Sequence, residues 1–167
     1  MSTRRQVTRI SLLALTGVAV AAITGCGMMQ GQSGMMQGQS GMGMASSNMV
    51  AFSTQMRAGN EVPANASQGS GSVDAMLNKS TNMLSWKVNY SGLSGPATAG
   101  HFHGPAAAGT NAGVVVPWSG PMASPLEGSA TLTAGQVADL MAGRWYANIH
   151  TAANPGGELR GQMTVRN

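Results

Sequence analysis

From residue 49 onward, hydrophobic and polar positions alternate. Leu84, Trp86, Val88 and Tyr90 take turns with Ser85, Lys87 and Asn89. A period of two sends the first set to one face of an extended strand and the second set to the other. The same reading predicts strands over 50–58, 71–77, 84–90, 98–103, 113–118, 128–132, 144–150 and 159–165. Short strands separated by Gly, Pro, Asn and Ser turns point to an all-β antiparallel sandwich or barrel. One segment departs from the pattern. Across 133–143 the spacing of Val137, Leu140 and Met141 becomes helical, with Thr133 placed as N-cap and Gly143 as the stop.

The N-terminus carries a different pattern. Arg4, Arg5 and Arg9 precede an uncharged apolar run over 10–23 that ends at Thr24-Gly25-Cys26. The run is shorter than the ~20 apolar residues of a membrane span and reads as an export signal, 1–25. Ile23-Thr24-Gly25-Cys26 resembles the lipobox of bacterial lipoproteins, which makes Cys26 the acylated first residue of the mature chain. Each buried CH₂ of an attached acyl chain contributes about 0.8 kcal/mol, so several chains hold a protein at a bilayer surface. Gly27 follows the cysteine, and by resemblance to sorting rules this favours the outer membrane. Thr3 to Arg9 partly matches a twin-arginine signal, which leaves the export route open between the two systems. Cys26 is the only cysteine, so no intrachain disulfide can form.

Between the lipobox and the domain lies a repeated heptapeptide, Met28-Met29-Gln30-Gly31-Gln32-Ser33-Gly34 and Met35-Met36-Gln37-Gly38-Gln39-Ser40-Gly41. It contains no charge, aromatic or branched aliphatic, so it buries too little apolar surface to offset chain entropy. Residues 26–48 are read as a flexible tether. Its methionines are either tolerated linker residues or soft thioether ligands for Cu(I). The expected organisation is therefore signal 1–25, tether 26–48 and domain 49–167. Charge follows that division. Nine Lys and Arg stand against five Asp and Glu, and removing Arg4, Arg5 and Arg9 leaves six against five. The mature chain is close to neutral, without the clustered basic face that nucleic-acid binding requires.

All three histidines fall in two phrases, His101-Phe102-His103-Gly104-Pro105 and the stretch from Asn148 to Gln162 that contains His150. Alternation sends Phe102 inward and His101 and His103 outward. In the later strand Trp145, Ala147 and Ile149 form the apolar set, leaving Tyr146, Asn148 and His150 on the other face. If the two strands are neighbours, their side chains stand about 5 Å apart, and three neutral imidazoles could hold zinc or Cu(II). If they are not, the histidines are hydrogen-bonding loop residues. A two-metal dismutase site, which also uses a His-x-His pair, needs more histidines than this chain has.

The phrases Gly59-Asn60-Glu61-Val62-Pro63, Leu84 to Leu93, Ala99-Gly100-His101-Phe102-His103-Gly104-Pro105, Leu132 to Tyr146 and Asn148 to Gln162 run in order across 50–167. In these the chain resembles the CHRD domain, a module named after chordin and found in bacterial exported proteins. The resemblance implies an extracytoplasmic Greek-key β-sandwich, immunoglobulin-like or distantly similar to Cu/Zn superoxide dismutase, with no established catalytic activity.

Other chemistry is sparse. Glu61 and Glu158 could each ligate a metal or pair with Arg160 as a buried ion pair, and the ion pair is the favoured reading. Five carboxylates offer no acid/base pair of evident spacing, and no serine sits in a nucleophile elbow. Asn154-Pro155-Gly156-Gly157 reads as a tight turn and not a phosphate loop. The expected function is a lipid-anchored, non-enzymatic binding or structural module of the cell envelope, attached to the membrane at Cys26 and facing an envelope or extracellular protein partner. The alternative is a zinc- or copper-binding envelope protein using His101, His103 and His150 together with the methionine tether.

Overall fold

The computed structural model describes residues 48–166. The export segment, Cys26 and the methionine repeat lie outside the described residues. The strands are β1 (Met49–Arg57), β2 (Ser70–Asn78), β3 (Met83–Ser91), β4 (Ala97–His103), β5 (Val114–Pro117), β6 (Leu126–Thr131), β7 (Tyr146–Thr151), β8 (Leu159–Gln162) and β9 (Thr164–Val165). One helix, α1 (Ala134–Met141), separates β6 from β7, and a 3₁₀ turn covers Ala58–Asn60. No described helix is long and apolar enough to cross a membrane.

The strands form one antiparallel sheet in the order β5-β4-β7-β8-β1-β2-β3-β6, with β9 beside β1. The sheet curls until it nearly closes into a barrel. Two separate sheets, as the sandwich expectation required, are not what the ladders make, because β1 serves both halves. It pairs with β2 along its whole length and meets β8 at Arg57↔Arg160. The predicted strand 159–165 breaks for the same reason. At Met163 the chain leaves β7, its N–H donating to Trp145 O at 2.9 Å, and resumes against β1 at Phe52↔Val165.

The core lies inside the curl. β3 alternates exposed and buried residues as its sequence requires, with Leu84, Trp86 and Val88 buried. Trp86 meets Phe102 of β4 edge-on, ring centroids 5.2 Å apart, so side chains from both halves of the sheet fill one interior. Phe52, Val73, Leu77, Phe102, Trp145, Ile149 and Leu159 are all fully buried. Full burial of a side chain of this size stabilises by about 1.5–3 kcal/mol.

The helix is capped as its sequence predicts. Gln136 N–H donates to Thr133 Oγ1 at 3.2 Å and Thr133 N–H to Gln136 Oε1 at 2.8 Å, a reciprocal capping box. Gly143, at φ 68°, turns the chain out of the helix. Gln136 Nε2 also donates to Val115 O at 3.3 Å, which ties α1 to the edge strand β5 and partly occupies an otherwise open edge.

Candidate metal centre

The site is built on the pairing of β4 with β7, strands far apart in sequence. Their register places His103 opposite Tyr146, His101 opposite Asn148, and Ala99 opposite His150. Between these positions Phe102, Ala147 and Ile149 point into the core, so the facing inferred from alternation holds. The face carrying the histidines is nevertheless not open surface. Loops fold over it, leaving Tyr146, Asn148 and Arg160 at 3 %, 2 % and 2 % exposure. Asn60 Nδ2 donates to Arg160 O at 3.1 Å, and the Ala112 N–H donates to the Tyr146 hydroxyl at 3.1 Å. The three histidines sit half-buried at the rim of this roofed polar layer.

One ring nitrogen from each of His101, His103 and His150 lies within 4.8 Å of the others. His101 Nδ1 and His150 Nε2 are hydrogen-bonded to each other at 3.1 Å, and with the His150 proton on Nδ1 the donor is His101, a proton that a metal would displace. Two imidazoles on a tetrahedral zinc, at Zn–N of about 2.0–2.1 Å, hold their nitrogens about 3.4 Å apart. Two of the three donors thus stand close to a coordinating separation, and the third lies within 4.8 Å of both. The far sides of two rings are anchored. His150 Nδ1 lies 2.9 Å from Pro155 O and His103 Nδ1 lies 3.0 Å from Ala112 O. A carbonyl can only accept, so each Nδ1 carries the proton and each Nε2 presents a lone pair, the tautomer that metal-ligating histidines take. His103 Nε2 is buried and has no hydrogen-bond partner.

The surroundings of His101 and His103 favour their neutral forms. Burial lowers the affinity of His101 for a proton, and the neighbouring His150 and His103 lower it further. Burial does the same to His103, opposed by its bond to Ala112 and assisted by His150 and Arg160. Metal binding needs neutral imidazole. His103 is also held flat against Tyr146, centroids 4.8 Å apart and rings 2° from parallel, with the Arg160 guanidinium 3.5 Å above the Tyr146 ring.

The expected ion pairs to Arg160 do not form. Arg160 spends its fork on Thr110 O at 2.6 Å and Asn111 Oδ1 at 2.8 Å, fastening the loop ahead of β5. Glu158 precedes β8 and faces the end of β7 instead. It accepts from Ser67 Oγ at 2.6 Å, Ser94 N–H at 2.7 Å, Ser94 Oγ at 2.6 Å, Thr151 Oγ1 at 2.5 Å and Asn154 Nδ2 at 3.1 Å. Burial raises its pKa, but these donors outweigh that effect and hold it at about 2. Glu61 accepts from Asn148 Nδ2 at 2.5 Å. Burial pushes its pKa up to about 7, against the opposing pull of Arg160 and of the Val62 N–H. Among the described residues, the candidate ligand group contains the three histidines and neither carboxylate.

Gly157 explains how Glu61 reaches Asn148. At φ 133°, a Cβ at this position would lie 2.6 Å from Glu61 Oε1. The turn predicted at 154–157 closes with Gly157 N–H donating to Asn154 O at 3.1 Å. Its second role, supplying the Pro155 carbonyl to His150, had no signal in the sequence. Tyr146 and Asn148 had a partial one, since alternation already put them on the face of His150.

No curated protein and no solved structure matches the chain. Residues 52–163 match the model of the CHRD domain, and the chain belongs to the CHRD domain family.

Proposed function

We propose that the chain is an exported lipoprotein, acylated at Cys26 and held at the outer membrane, whose CHRD domain is a non-enzymatic binding module for a transition-metal ion. His101, His103 and His150 are the ligands, and Zn²⁺ or Cu²⁺ is the ion. One observation carries the reading: three half-buried imidazoles converge, and two of them have their second nitrogen committed to a backbone carbonyl. Family membership, which suggests an envelope or binding module, is compatible with it. A binding role is favoured over catalysis because Glu158 is consumed by its hydrogen bonds and neither glutamate joins the three histidines in the ligand group. The methionine repeat, which supplies thioethers alone, suits Cu(I) and leaves the histidines to the harder ion.

The test is a titration of the full chain, purified in detergent without a histidine tag, with Zn²⁺ and with Cu²⁺. One ion should bind per chain and be lost in His101→Ala/His150→Ala, which keeps every methionine. Wild-type protein that binds neither ion, or a double variant that binds as well, refutes the metal reading. Cys26→Ser should abolish labelling by radioactive palmitate, and continued labelling refutes the anchor.

A further inference from the structure

Asn148 is the β7 residue whose neighbours in the strand register include all three histidines. It stands directly opposite His101, two residues before His150 on the same strand, and diagonal to His103. Directly opposed residues of antiparallel strands have Cβ atoms about 4.5–5.5 Å apart and diagonal ones about 7–8 Å, so all three rings are within reach of it. It is 2 % exposed. Its amide is oriented by one bond, Nδ2 donating to Glu61 Oε1 at 2.5 Å. The other edge, Oδ1, is buried and accepts from nothing. An unsatisfied buried acceptor is destabilising. His103 Nε2, on the same face, is also buried and unpartnered, and the metal accounts for it. The orphaned Oδ1 of Asn148 is left to explain.

We infer that the metal carries an exchangeable water as its fourth ligand and that Asn148 positions it, Oδ1 accepting a hydrogen bond from the water while Glu61 anchors the amide through Nδ2. The inference rests on the three-histidine metal reading. Three protein ligands on a tetrahedral ion leave one position for solvent. A metal-bound water is a stronger donor than bulk water, so a fixed acceptor beside it is stabilising. The amide oxygen has no proton to offer. The position therefore selects small ligands that keep a proton on the coordinating atom, such as water, hydroxide or an alcohol, over anions that have none, such as azide.

The experiment loads the full chain with Co²⁺ and follows azide binding by visible absorption in wild type, Asn148→Ala and Asn148→Asp. Removing the acceptor weakens the hold on water by about one hydrogen bond, so Asn148→Ala should bind azide about tenfold tighter than wild type. Asn148→Asp restores an acceptor and should return azide affinity to the wild-type level or below. In parallel, water-proton relaxation of the Cu²⁺-loaded wild type should report an inner-sphere water, and this measurement decides the matter without a variant if Asn148→Ala does not fold. Less than a twofold difference in azide affinity, or no inner-sphere water, overturns the inference while leaving metal binding intact. Failure of wild type to take up any of these ions overturns both.

Discussion

Replacing Glu158 with glutamine tests whether one buried carboxylate locks together the loops around the β7–β8 turn. The side chain is fully buried and accepts hydrogen bonds from Ser67, Ser94, Thr151 and Asn154, residues on three separate segments. Its pKa falls from 4.5 to about 2 on folding. At about 1.4 kcal/mol per pK unit, that shift corresponds to roughly 3 kcal/mol of stability linked to ionisation. Because the folded-state pKa is the lower one, the stabilisation is present in full above pH 4.5 and disappears as pH falls through about 2. Glu158→Gln keeps the shape, but its amide presents a donor to groups that are themselves donors. Urea unfolding followed by tryptophan fluorescence should place the variant about 3 kcal/mol below wild type at pH 7, a fall in Tm of roughly 12 °C for a domain of this size. The gap should narrow steadily as pH drops from 4.5 toward 2.5. A loss under 1 kcal/mol at pH 7, or a gap of constant size across that range, refutes the idea that the donors hold an ionised Glu158.

Glu61 predicts the opposite slope. Its folded-state pKa of about 7 exceeds the ordinary 4.5, so the folded chain keeps a proton that the unfolded chain releases, and stability falls as pH rises from 4.5 through 7. Glu61→Gln should therefore gain on wild type by up to roughly 3 kcal/mol between pH 4.5 and pH 8 in metal-free protein. The comparison with wild type cancels the opposite trend from His101 and His103, and a difference that does not change with pH would count against the raised pKa. Gly100 tests the packing inside β4, where an added Cβ would meet the Trp118 indole, with Cζ3 2.5 Å away. Gly100→Ala should cost about 1–3 kcal/mol through overpacking, read as a lower urea midpoint at unchanged m-value, and an unchanged midpoint would show that the indole moves aside freely.

What the sequence determined is local. Side chains alternate along any extended chain, so Leu84, Trp86, Val88, Phe102 and Ile149 could be assigned to the core, and His101, His103, Asn148 and His150 to the opposite face, before any strand had a neighbour. The N-cap at Thr133 and the stop at Gly143 are likewise short-range chemistry, legible from a few adjacent residues, and the structure adds the reciprocal bond from Gln136. The tertiary structure decided everything that depends on which distant segments meet. It paired β4 with β7, turning two histidine phrases into one cluster. It let β1 bridge both halves, so a single curled sheet stands where two sheets were expected. It roofed the polar face with loops, so that Tyr146, Asn148 and Arg160 became a buried layer and not a surface. The two glutamates show the limit most clearly. The sequence reading paired Glu158 with Arg160 because it directly follows two glycines, yet its partners Ser67 and Ser94 lie far upstream. A carboxylate takes the donors that folding brings to it, and alternation along a strand carries no record of which loops those donors will come from.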